Sequence, residues 1–164
     1  MNTILITGVT GNIGSHVLYE LIYNAKQTGV KPEIYAVIRP SKGKTGKQRL
    51  LSEVFNPSLV PNKIKGFYKN FIEHIHVIEG EINNFNIPKK AGNQILVYHL
   101  AASVNLGITK KAKNEIATIN YKSTHAFFDI IKTRTKKLIF VSTAFSRGDV
   151  EGCLLYTSPS PRDA

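Results

Sequence analysis

The 164-residue chain has no tryptophan and one cysteine, Cys153. A single thiol excludes a disulfide scaffold and any zinc centre built from several cysteines. No apolar run reaches the roughly 18 residues of a membrane-spanning helix. The start, Met1-Asn2-Thr3-Ile4-Leu5, has no basic region ahead of an apolar stretch, so no secretory leader is read and a reducing, cytoplasmic setting is expected. Acidic residues are scarce: 11 Asp and Glu stand against 22 Lys and Arg, a net charge of +11. That excess does not carry a nucleic-acid reading, because the lysines are spread along the chain and no aromatic residues interleave with a basic stripe. An AT-rich genome produces many Lys, Asn and Ile codons, so no nucleic-acid partner is expected. His16, His74, His76 and His125 show no metal-ligand spacing, and no metal site is expected.

What is present is enough for one core: 42% of the residues are apolar, within the range of ordinary soluble domains. The last residues are excluded from that reckoning. Cys153 to Asp163, C-L-L-Y-T-S-P-S-P-R-D, reads as one translated frame of a transposase adapter used in sequencing libraries. The expected division is therefore a natural domain over residues 1–152 and a disordered, adapter-derived tail over 153–164. On this reading Tyr156 is not a candidate catalytic tyrosine, and the natural segment is a fragment that stops near Gly152.

Ile4 to Thr7 is a short β-branched apolar run ending at Gly8, which predicts a buried strand. Ile13, Val17, Leu18, Leu21 and Ile22 recur at helical spacing up to Gly29. Further strands are predicted over Glu33 to Ile38, His74 to Glu79, Gln94 to His99 and Lys137 to Ser142. Helices are predicted over Lys47 to Phe55 and about Lys111 to Lys132, and 56–70 is left open. Alternating strands and helices imply right-handed crossovers and a parallel sheet. The expected fold class is α/β: a Rossmann-like, doubly wound sheet of strand order 3-2-1-4-5, incomplete at its C-terminus.

Ligands of such sheets sit at the carboxyl ends of the strands. After the first strand comes Thr7-Gly8-Val9-Thr10-Gly11-Asn12-Ile13-Gly14, a G-x-x-G-x-x-G turn opening a helix. Gly8 permits the tight turn, Gly11 lets backbone approach a pyrophosphate, and Gly14 lets helix and strand pack closely. The helix N-terminus then offers amide donors to phosphate. The second strand ends in Arg39, followed by Lys42, Lys44, Lys47 and Arg49, where an NAD-selective site usually carries a carboxylate. A guanidinium makes paired, charge-assisted bonds to a 2′-phosphate, so NADP(H) is favoured. For the individual lysines a solvated basic loop is the better reading. Ala101 and Ala102 after the fourth strand suit either a close cofactor or tight packing. Ser142 and Thr143 after the fifth suit either a substrate carbonyl or the cap of a turn.

Together these residues resemble the extended short-chain dehydrogenase/reductases, and in particular the thioester-reductase and fatty acyl-CoA reductase branch with its male-sterility-type NAD-binding domain. The matching segments are T-G-V-T-G-N-I-G, V-I-R-P, V-I-E-G-E-I at 77–82, H-L-A-A-S-V-N at 99–105, I-N-Y-K-S-T at 119–124 and F-V-S-T-A-F at 140–145. The resemblance implies that Thr7, Gly8, Thr10, Gly11, Asn12, Ile13 and Gly14 form the pyrophosphate turn and that Arg39 meets the 2′-phosphate. It implies that Ala101, Ala102 and Ser103 line the cofactor channel, that Asn120 supports the active site and that Thr143 orients the substrate carbonyl. Glu81 departs from the aspartate usual after the glycine at that point. The family's Tyr-x-x-x-Lys would lie beyond Gly152, so the chain alone is expected not to turn over. The implied reaction is NADPH-dependent reduction of an acyl thioester, carried on coenzyme A or a carrier protein, to aldehyde or alcohol. An NAD(P)-dependent epimerase/dehydratase or hydroxysteroid-type dehydrogenase, and a non-catalytic NADP(H) sensor, are the alternatives.

Overall fold

A computed structural model describes residues 3–103, 107 and 109–141. β1 (Thr3–Thr7) leads through the glycine turn into α1 (Asn12–Thr28), which ends where Gly29 takes a left-handed φ of 71°. β2 (Glu33–Ile38) follows. A short α2 (Gly46–Arg49) runs directly into a π turn over Leu50–Val54. Thr45 caps α2 by accepting from the Gln48 amide, while the Gln48 side chain accepts from the Thr45 amide. Two single-turn helices, α3 (Asn62–Lys65) and α4 (Lys69–Ile72), fill the stretch that sequence left open, and supply Ile64 and Phe71 to the core. β3 (Ile75–Glu79) and β4 (Ile95–His99) come next. One long helical segment then comprises α5 (Lys110–Ile116), a π turn (Ala117–Ser123) and α6 (Thr124–Ile131), before β5 (Thr135–Phe140).

All five strands are parallel, in the order β3-β2-β1-β4-β5. The central strand β1 is buried on both faces, which is why Ile4-Leu5-Ile6 is apolar without alternation. Ile4 and Ile6 face α1 through Leu18 and Ile22. Leu5 faces the other way, onto Val97, Phe127 and Ile131. The two layers therefore hold the strand ends in a fixed register, with Thr7 opposite Val37 and His99. Among the described residues no helix is long and apolar enough to cross a membrane.

The fifth strand differs from expectation. It begins two residues earlier, at Thr135, immediately after the Thr135 hydroxyl has bonded back to the Ile131 carbonyl at 2.9 Å. Its opening residues, Thr135-Lys136-Lys137, are polar, and Lys136 and Lys137 are exposed. Ser142, where the strand was expected to end, lies outside the described residues. The expected long helix is also not uniform: a π turn interrupts it around Asn120.

Candidate cofactor-binding site

The glycine turn is closed by steric contact that no larger residue would permit. Gly8 has a φ of 72°, and a Cβ there would sit 2.6 Å from the Ala101 nitrogen. A Cβ on Gly14 would sit 2.1 Å from the Gly8 oxygen. Strand, turn and helix thus touch backbone to backbone. Gly11 is different: its absent Cβ would meet only the Gly8 oxygen, at 3.2 Å, and Gly11 itself is exposed. Its amide donates to Gly8 at 2.9 Å and tightens the bend. Gly11 is also the N-cap of α1 and has no side chain with which to cap it. Among the described residues, the amides of Asn12, Ile13 and Gly14 meet no acceptor. A bare Gly11 backbone beside three free donors is a cradle of the size and polarity a diphosphate fits.

Thr7 stands beneath this cradle and is fully buried. Its Oγ1 accepts from the Leu100 and Ala101 amides at 3.2 and 3.3 Å. The one hydroxyl proton is then left for His99 Nδ1, 2.8 Å away. That assigns the His99 proton to Nε2, which donates to Thr124 Oγ1 at 3.4 Å. His99 is wholly buried, stacked on Phe127 at 4.3 Å, and burial pushes its pKa down to about 4. The ring is therefore neutral near pH 7 and serves as a fixed acceptor. Of the residues expected to line the cofactor channel, Ala101 is half-buried, Ala102 is exposed and Ser103 is clamped. The Ser103 amide donates to Asn120 Oδ1 at 2.7 Å, and Asn120 Nδ2 donates back to the Ser103 carbonyl at 2.9 Å. Ser103 Oγ donates to Glu115 at 2.8 Å. Asn120 reaches the loop from the π turn, a local geometry that commonly marks a functional position.

At the end of β2 two arginines behave differently. The Arg39 side chain is 58% exposed, and its nearest acidic neighbour is Glu81, 3.8 Å away and equally exposed. Arg49, placed by sequence in the predicted helix over Lys47 to Phe55, is only 14% exposed and lies against the glycine turn. Its guanidinium donates to Glu53, to the Arg39 carbonyl and to Thr10 Oγ1. The signal that could have found it is the four-residue spacing of Arg49 and Glu53 on a predicted helix. Thr143 lies outside the described residues.

The fold and this strand-end cradle define a Rossmann-type dinucleotide-binding domain. The sequence model of the NAD-binding family described as male sterility protein matches residues 6–160. The chain belongs to that family. The last residues of the match, 153–160, fall in the segment that is expected from the sequence to be adapter-derived. No curated protein matches. Among solved structures, a UDP-glucuronic acid 4-epimerase from Bacillus cereus, with NAD bound, is 24% identical with a TM-score of 0.58, over 93% of this chain and 43% of that one. The terminal R domain of the myxalamid PKS-NRPS pathway is 22% identical with a TM-score of 0.58, over 87% of this chain and 35% of that one. A UDP-N-acetylglucosamine 4-epimerase from Methanobrevibacter ruminantium M1 is 21% identical with a TM-score of 0.62, over 91% and 40%. These likenesses show the shared fold, and the chain spans less than half the length of each of these structures.

Proposed function

We propose that this chain is the N-terminal, cofactor-binding part of an NADPH-dependent reductase of acyl thioesters. Residues 1–152 form the domain in this reading, and 153–164 are adapter-derived. The observation that carries the cofactor assignment is the end of β2, where an exposed guanidinium, Arg39, occupies the place a carboxylate takes in NAD-selective sites. Gly8, Gly11 and Gly14, with the amides of Asn12 and Ile13, would hold the diphosphate. Thr7 and Thr10 shape the turn, while Ala101, Ala102 and Ser103 border the path toward the sheet's carboxyl edge. NADPH, when bound, supplies the hydride. This chain's contribution beyond binding would be positional: Asn120 fixes the Ser103 backbone, and Thr143 would hydrogen-bond the substrate carbonyl. The thioester assignment is supported by family membership together with the H-L-A-A-S-V-N and V-S-T-A segments. A basic surface suits the phosphates of coenzyme A or an acidic carrier protein.

Calorimetric titration of the chain with NADPH and NADH tests the reading. NADPH should bind more tightly, and Arg39→Ala should weaken it about 10- to 100-fold, as expected for a lost charge-assisted contact, leaving NADH within about twofold. Retention of the NADPH preference by that variant would refute it. The chain alone should not reduce a thioester or aldehyde, and turnover by the purified chain would count against placing the missing catalytic pair beyond residue 152. Solved structures of related fold include NAD-containing epimerases. Arg39 argues against that reading, because an epimerase that recycles NAD has no 2′-phosphate to bind.

A further inference from the structure

The guanidinium of Arg49 has five N–H donors arranged along two forked edges. On one edge, Nε donates to Glu53 Oε1 at 3.0 Å and Nη2 to Glu53 Oε2 at 2.8 Å. On the other, Nη2 donates to Thr10 Oγ1 at 3.2 Å and Nη1 to the Arg39 carbonyl at 2.8 Å. Four of the five donors are committed, and neither edge keeps the free pair that a phosphate would need for a forked contact. Glu53 also offsets the positive charge, and its own carboxyl is held below the usual range chiefly by its bonds to Arg49. Arg39, by contrast, keeps an exposed guanidinium whose side-chain partner is the equally exposed Glu81, an ion pair at 3.8 Å.

We propose that Arg49 is a positioning residue, a crossbar that ties the glycine turn to the end of β2, with Glu53 holding it in register and Arg39 left as the cation that meets phosphate. This rests on the dinucleotide reading above and adds a division of labour to it. The two tied points, Thr10 and the Arg39 carbonyl, belong to loops that follow adjacent parallel strands. A cofactor spanning both loops would find their separation already set, and would not have to fix it on binding. Glu53 bonds to Arg49 and to neither tied point, with Lys42 and Lys44 acting on it through their charge, so its substitution separates positioning from contact.

The test is calorimetric titration of the 164-residue chain and three variants with NADPH and NADH. Arg49→Lys keeps the charge and loses the fork, Glu53→Gln keeps the size and loses the counter-charge, and Thr10→Val removes one tied point. Each should weaken both cofactors by the same factor, about 5- to 10-fold for the loss of one or two hydrogen bonds, with the NADPH-to-NADH ratio unchanged. Arg39→Ala should change the ratio. If Arg49→Lys or Glu53→Gln lowers NADPH affinity alone, Arg49 is a phosphate contact and the proposal is wrong. If neither variant changes either affinity, the crossbar positions nothing and the proposal is wrong. If the unmodified chain binds neither cofactor, the dinucleotide reading itself fails and takes this inference with it. Glu53→Gln preserves the helix surface, so a folding failure of Arg49→Lys does not remove the test.

Discussion

Acid should loosen this fold through His99. The ring lies between Phe127 and Phe140, with centroids 4.3 and 5.4 Å from its own, and burial lowers its pKa from 6.5 to about 4. An unfolded chain takes up this proton near pH 6.5, whereas the native chain resists until about pH 4. Between those values the unfolded state binds more protons, so stability falls as pH falls. Each unit is worth about 1.4 kcal/mol, so lowering the pH from about 6.5 to about 4.5 should remove roughly 2 to 3 kcal/mol. That is a large share of the roughly 5 to 15 kcal/mol that holds a typical domain. Glu33 and Glu53, with carboxyls held low by His76 and Arg49, stabilise above the ordinary carboxylate range and lose that contribution only as pH falls through it. The assay is urea unfolding followed by circular dichroism at constant ionic strength from pH 7.5 to 4.5, for the parent and for His99→Phe. Phenylalanine keeps the stack and cannot titrate. The parent should lose about 2 kcal/mol more than the variant across the window. Parallel curves would refute the picture of a buried, neutral His99.

Gly14→Ala should cost more than about 3 kcal/mol or prevent folding, because its Cβ would sit 2.1 Å from the Gly8 oxygen and both neighbours are backbone. Gly29→Ala is the control: it meets open space and pays only the left-handed conformation, about 1 kcal/mol. Equal effects in urea unfolding would show that the turn yields more than its contacts imply. Asn120→Asp still accepts from the Ser103 amide but turns a carboxylate on the Ser103 carbonyl. It should cost about 1 to 3 kcal/mol at neutral pH, checked by the same unfolding measurement, and a change within about 0.5 kcal/mol would show that the clamp contributes little.

The sheet order was legible because β1 and β2 are buried on both faces, β4 is buried on one and half-buried on the other, and all three carry nearly uninterrupted apolar runs, each ending where a glycine, Arg39-Pro40 or a pair of alanines follows. The glycine turn was legible for the same reason that it is sterically closed: no other residue fits at Gly8 or Gly14. The body of β5 was legible in Leu138-Ile139-Phe140, whereas its first two residues, Thr135 and Lys136, carry no apolar signal. Arg49 was legible as part of a short helix but not as a contact of the glycine turn, because only the fold brings residue 49 back against residue 10. His99 was legible as a strand residue within a motif, but its partners Thr7 and Thr124 lie 92 and 25 positions away, and no local pattern announces such a bond.

The π turn at Ala117–Ser123 has a consequence for the helix that contains it. Side chains on an α-helix advance by about 100° per residue, so a wider turn changes which way everything after it faces relative to everything before. Here that offset allows one continuous rod to aim an amide outward at the loop after β4 and still seat Phe127 and Ile131 in the interior. Excising a single residue between Ala117 and Ser123 would restore ordinary winding and force a choice between those two orientations.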